Sequence, residues 1–134
     1  MSYKKPLPQI SSDTRAFWEG CRRHVFRIQK CANCGQIRWP SSFLCPHCLS
    51  DETKWIEASG RGVVYSYVVY HVAYDPSFED DLPYVVALVE MDEGFRFLTN
   101  IVECNPEEVH CGMAVETLWD DVTETISLPK FRPS

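Results

Sequence analysis

Cys31-Ala-Asn-Cys34 and Cys45-Pro-His-Cys48 are two C-x2-C pairs separated by ten residues. Each pair can set two thiolates on one side of a tight turn, and two facing turns complete a tetrahedron about zinc. Gly35 follows the first pair, where such a knuckle commonly turns through positive φ; Leu49 stands at that place in the second and suits it less well. Cys31, Cys34, Cys45 and Cys48 are therefore the expected ligands of one Zn2+. Four thiolates leave no open coordination position, which makes the expected metal structural and not catalytic. His47 lies inside the second pair, but a complete set of thiolates does not need it. Iron in a rubredoxin-like electron carrier is the chemical rival, since tetrahedral sulfur suits iron as well.

The remaining reactive residue types give weaker signals. Cys21, Cys104 and Cys111 lack an evident activating base; Cys111 follows His110, but neighbours on a strand point to opposite faces. They read as ordinary thiols, and His24 and His71 as core or surface imidazoles. No catalytic residue is assigned. Tyr65, Tyr67 and Tyr70 suggest a stripe on which bases could stack. Strict alternation puts Tyr65 and Tyr67 on one face and Tyr70 on the other, which is no clean platform and fits packing against a partner better.

The elements that position the cysteines are short. Residues 1–10 read as a mobile arm. Ser11-Ser-Asp-Thr offers N-caps for a helix over about 13–22 that buries Phe17 and Trp18 and is weakened by Gly20. Alternation from His24 reads as a strand running into Cys31, with further strands at Ile37-Arg38-Trp39 and Lys54–Glu57. Ser59-Gly60-Arg61-Gly62 marks the best boundary. Beyond it, 63–71, 84–91, 95–102, 114–122 and 125–131 are five candidate strands rich in Val, Tyr, Phe, Thr and Leu. Asp92-Glu93-Gly94 is a hairpin connection, 72–83 a flexible acidic loop, and Asn105–Val109 one helical turn. The expected architecture is mainly β: arm, helix and lead-in strand over 1–30, a rubredoxin-like zinc ribbon over 31–58, and a five-stranded OB-type barrel over 59–134.

Charge divides the 134 residues in two. Residues 1–58 carry 9 Lys/Arg against 5 Asp/Glu, and 59–134 carry 4 against 14. The acidic half opposes a nucleic-acid surface, because phosphate backbones require the other sign. The seven cysteines are odd in number, four of them in metal-type pairs, and the start carries no apolar signal stretch. A reducing, cytoplasmic setting is the expectation. The strongly apolar run 63–72 is too short for a membrane helix.

Several blocks in order carry a resemblance: Phe17-Trp18-Glu19-Gly20, Cys31-x2-Cys34-Gly35, Cys45-Pro46-x-Cys48, Gly60-Arg61-Gly62-Val63-Val64-Tyr65-Ser66-Tyr67, Pro83-Tyr84-Val85-Val86-Ala87-Leu88-Val89-Glu90 and Leu128-Pro129-Lys130-Phe131-Arg132-Pro133. From about Ala16 onward the chain resembles the acyl-CoA-associated proteins with an N-terminal zinc ribbon and a C-terminal OB fold, long catalogued as a domain of unknown function. The resemblance implies a non-catalytic accessory subunit in a hetero-oligomer with a larger thiolase, thiolase-like aldolase or acyl-CoA hydratase subunit. A degradative thiolase of aromatic or steroid breakdown is the foremost partner it implies, with coenzyme A or its thioesters bound jointly. The basic half offers cations for the CoA phosphates, with Arg22, Arg23 and Arg38 foremost and Arg15 sharing a helix face with Arg22. A nucleic-acid-binding ribbon and OB module is the alternative from another class.

Overall fold

Period-two alternation dominates the chain after Val25, and the computed structural model, which describes residues 5–134, resolves that alternation into two sheets. Helix α1 (Arg15–Arg22) comes first, followed by β1 (Arg27–Cys31), β2 (Ile37–Arg38) and β3 (Thr53–Glu57). These strands form an antiparallel sheet in the order β2-β1-β3. The register sets Gln29 opposite both Arg38 and Trp55, so Cys31 and the turn after it emerge at one end of the sheet.

Strands β4 (Arg61–Tyr70), β5 (Tyr84–Met91), β6 (Arg96–Ile101), β7 (Ala114–Asp121) and β8 (Ser127–Pro133) close a barrel in the order β4-β5-β6-β8-β7. Neighbours pair antiparallel except β6 and β8, which run parallel where Ile101 meets Phe131. This connectivity is that of the OB fold, and the fold class is mainly β with one short α-helix among the described residues, as the strand pattern implies. The expected helical turn at 105–109 is a 3-10 turn over Pro106–Glu108, with Asn105 accepting from the Glu107 N–H.

Four local readings change. Helix α1 starts at Arg15, two residues later than expected, and Trp18 is only half-buried while Phe17 is buried. The first strand begins at Arg27, because His24 takes a φ of 60° and turns the chain out of the helix. The 72–83 connection contains a 3-10 helix, Pro76–Asp81, capped by the Asp75 side chain. Of the expected arm, the first four residues lie outside the described residues. Lys5 is held against the barrel by an ion pair to Asp81 and sits 5.5 Å from the Phe78 ring centroid.

Tyr65, Tyr67 and Tyr70 also distribute differently. A bulge in β4 between Val64 and Ser66 inserts one residue and inverts the alternation downstream. Tyr65 therefore faces outward, Tyr67 pairs opposite buried Ala87 and packs on the core, and Tyr70 faces outward opposite Tyr84.

One hydrophobic cluster runs through helix, ribbon and barrel. Phe26, in the link from α1 to β1, lies 5.0 Å from Phe97, 6.2 Å from Phe95 and 6.4 Å from Phe131, ring centre to ring centre. Phe17 from the helix and Trp39 from the ribbon close over the same rings, 4.9 Å apart. Gly20 lets the helix approach this link, since a Cβ there would stand 2.7 Å from the Val25 carbonyl oxygen. Outside the cluster, His24 donates to Asp121 at 2.8 Å and stacks on Trp119, a second tie between helix and barrel. Phe26→Ala is expected to lower stability by about 3–5 kcal/mol in urea unfolding. It should also split one cooperative transition into separate ribbon and barrel steps; a single unchanged transition would contradict that reading.

Candidate metal centre

The two knuckles are built alike, by backbone hydrogen bonds that the Cys-x2-Cys spacing permits. Gly35 N–H donates to the Cys31 carbonyl at 2.9 Å, and Leu49 N–H to the Cys45 carbonyl at 2.9 Å. In turn Cys31 N–H donates to Gln36 at 2.8 Å and Cys45 N–H to Ser50 at 2.9 Å. Both turns require a left-handed residue, and Gly35 (φ 79°) and Leu49 (φ 63°) supply it. Leu49 thus holds the conformation that the sequence made unfavourable, with its side chain in solvent.

The four sulfur atoms lie within 4.8 Å of one another. Cys31 to Cys48 and Cys34 to Cys45 are each 3.6 Å. A tetrahedron with zinc–sulfur bonds of about 2.3 Å has edges of about 3.8 Å, so the four thiols are clustered near the spacing that one zinc requires. Asn33 donates to Cys48 Sγ at 3.5 Å and the Cys34 N–H to Cys31 Sγ at 3.5 Å, the kind of support thiolates take from a knuckle. His47 is exposed and stands outside the cluster.

The electrostatics of the group call for a cation. The Cys34 N–H is the main cause that lowers Cys31 to about 6, and the Cys48 N–H draws Cys45 down. The Gln36 N–H draws Cys34 down too, but desolvation and the three neighbouring thiols outweigh it and push Cys34 up to about 12. Thiolates so close repel one another until a divalent ion stands among them. Away from the centre, burial pushes Cys21 up to about 12, and burial with the Glu108 charge raises Cys104.

Two polar side chains hold the loop between the knuckles: Gln29, which nothing in the sequence marked, and Arg38, which the sequence marked for another role. Gln29 is buried on β1; its amide donates to the Ser42 carbonyl at 3.0 Å and accepts from the Ser42 N–H at 2.8 Å. Arg38 is 2% exposed and donates to the Ser42 carbonyl at 3.0 Å and to Thr53 Oγ1 at 2.7 Å. This corrects the grouping of Arg38 with Arg22 and Arg23: its guanidinium is spent inside the ribbon and does not reach solvent or a CoA phosphate. A two-residue strand is too short for alternation to reveal which side faces in. Arg15 and Arg22 do come together, with Trp18, along a hollow of about 310 Å³. Arg23 joins Arg22 and Glu19 in an adjoining one.

Against known families, residues 18–53 match the model described as "ChsH2, rubredoxin-like zinc ribbon domain". Residues 55–120 match "ChsH2, C-terminal OB-fold domain". A DUF35 domain-containing scaffold protein of Methanocaldococcus jannaschii is 44% identical over 96 residues, which are 71% of this chain and 67% of that protein. The chain belongs to the DUF35 family. This DUF35 chain superposes on a chain of the solved structure named Ltp2-ChsH2(DUF35) aldolase with a TM-score of 0.87. The two are 42% identical, with 95% of this chain and 98% of that one covered. It is also 42% identical over 130 residues to a probable enoyl-CoA hydratase alpha subunit of Thermomonospora curvata. That match takes in 97% of this chain but 40% of the relative, so the chain spans less than half of that protein's length.

Among the described residues no helix is long and apolar enough to cross a membrane. Elemental analysis is expected to find one zinc per chain, and Cys48→Ser to abolish it along with ribbon stability, to which structural zinc contributes on the order of 10 kcal/mol. Iron with a visible absorption band would overturn the zinc assignment. The knuckle turns predict opposite signs in chemical denaturation. Gly35→Ala should cost about 1 kcal/mol, because its Cβ would meet only the Lys30 Cε, at an ordinary contact distance of 4.0 Å, and the strain lies in the left-handed backbone. Leu49→Gly should gain about 0.5–1 kcal/mol by relieving a left-handed leucine.

Proposed function

We propose that this DUF35 chain is a non-catalytic subunit of an acyl-CoA-processing complex. In that role it stabilises a larger hydratase or aldolase-type subunit and helps it hold coenzyme A. The observation that carries this reading is the end-to-end correspondence with the DUF35 chain of the Ltp2-ChsH2(DUF35) aldolase structure, at 42% identity. The relative named as an enoyl-CoA hydratase alpha subunit supports the same class of partner. The thiolase implied by the sequence resemblance belongs to this proposal as a partner of related chemistry; the relatives' names favour a hydratase or aldolase.

The chemistry of the metal centre agrees with a supporting role. Cys31, Cys34, Cys45 and Cys48 together would hold Zn2+ with every position taken, so the metal would fix the ribbon and leave substrate to the partner. Arg22 and Arg23 remain the proposed partners of the CoA phosphates. They are exposed at the end of α1, beside Arg15 and half-buried Trp18, and a flat aromatic flanked by guanidinium groups suits a purine with phosphates.

Affinity purification of the tagged chain from its native host tests the role. The expected result is a co-purifying larger acyl-CoA enzyme subunit, with no turnover of acyl-CoA thioesters by this chain alone. Recovery of nucleic acid instead, or robust activity of the isolated chain, would overturn it. In the assembled complex, Arg22→Glu with Arg23→Glu is expected to weaken CoA binding about tenfold or more while assembly persists, since a charge-assisted contact contributes about 1.5–3 kcal/mol. Lost assembly with unchanged intrinsic CoA affinity would make the pair a docking contact for acidic residues of the partner.

A further inference from the structure

The bulge in β4 turns a row of apolar side chains to the outside of the barrel. Downstream of it, Ser66, Val68 and Tyr70 stand opposite Leu88, Val86 and Tyr84 of β5. Leu88 and Val86 in turn stand opposite Leu98 and Asn100 of β6. The result is a three-strand outer face with an apolar centre: Val68 is 53% and Leu98 66% exposed. Tyr65 extends it on one side, with the Arg96 guanidinium 3.7 Å above its ring. On the other side Tyr70 stacks on Tyr84 at 5.1 Å and meets Tyr74, which is 86% exposed.

The rim of this face is acidic. Tyr84 also packs on Phe78 at 5.7 Å, which seats the 3-10 helix Pro76–Asp81 beside the patch. Asp75, Glu79 and Asp80 there are exposed, and Glu90 borders the opposite end next to Arg96. The outer side of the second and third barrel strands is where OB folds commonly hold oligonucleotides. Here its centre is aliphatic at Val68 and Leu98 and its rim carries the carboxylates of Asp75, Glu79, Asp80 and Glu90, so a phosphate backbone finds repulsion. A second copy fits poorly too, because a two-fold contact through this face would set acidic rim against acidic rim.

We propose that the outer face of β4, β5 and β6, centred on Val68 and Leu98, docks the larger acyl-CoA enzyme subunit through an apolar patch bordered by Lys or Arg. This rests on the subunit role proposed above and adds the surface that serves it. Apolar area of this kind is characteristic of interface centres, and the acidic rim steers a basic counterpart and excludes a like-charged one. The face is separate from the arginines at the end of α1, so docking and CoA contacts can be changed independently.

The test uses the wild-type complex and the chain with Val68→Asp and Leu98→Asp. Both side chains are exposed, so thermal melting and metal content should match wild type. Affinity for the co-purified partner subunit is expected to fall by about a hundredfold or more, since a charge at the centre of an apolar contact must be desolvated without a partner. Wild-type association should slow as salt is raised. In hydroxyl-radical footprinting, Tyr74 and Leu98 should lose reactivity on assembly. Three outcomes overturn the proposal: affinity within threefold of wild type, unchanged footprints, or a homodimer of the isolated chain that Leu98→Asp dissociates. A wild-type chain that retains no acyl-CoA enzyme subunit defeats the subunit role itself, and this surface with it. A complex that forms but ignores Val68 and Leu98 defeats only the surface.

Discussion

Everything in this molecule depends on the aromatic seam between ribbon and barrel. The ribbon sheet has three short strands, and so short a stretch of chain cannot bury a sufficient core of its own. Phe26 and Trp39 resolve this by packing on Phe95 and Phe97, rings that belong to the barrel. Phe17 adds the helix to the same contact. Rings at 5–6 Å in tilted and edge-on arrangements bury large areas and fix orientation as well. The division of charge at residue 58 is therefore a division of surface; the interior is continuous.

Within the ribbon a second constraint operates, because the metal loop has little apolar material. Between the knuckles, Phe43 and Leu44 are exposed and contribute nothing to a core. The loop is shaped instead by Gln29 and Arg38, which reach Ser42 from two strands. Their burial is tolerable because the amide and most of the guanidinium donors are satisfied. Metal ligands at one end and this polar clamp at the other give a short segment the order that hydrophobic burial cannot.

The barrel is specialised in the opposite sense. Its inner faces carry Val64, Val85, Ala87, Val89 and Phe131, all nearly inaccessible, while its outer face on β4 to β6 is also apolar. A sheet with one face toward water ordinarily alternates apolar with polar residues. Departure from that rule across three adjacent strands sets this surface apart from scattered exposed side chains, which need no explanation. Basic helix end, closed metal ribbon and apolar-acidic barrel face are thus three chemically different surfaces over one continuous core.

The sequence by itself determined the elements whose signals are local. Two C-x2-C pairs identify the metal ligands because thiolate chemistry and turn length act over four residues. Alternating Val, Tyr and Phe with Gly and Pro punctuation gave the five barrel strands nearly to their ends, because the pleat has a fixed period. What the tertiary structure decided is non-local. Whether Arg38 meets solvent depends on Ser42 and Thr53 folding over it, which no two-residue strand announces. Which tyrosines face outward depends on one bulge, because a single inserted residue exchanges the two faces of everything after it. The strand pairing that lines Val68, Val86 and Leu98 into one surface comes from register between distant segments, and only chain closure sets that register.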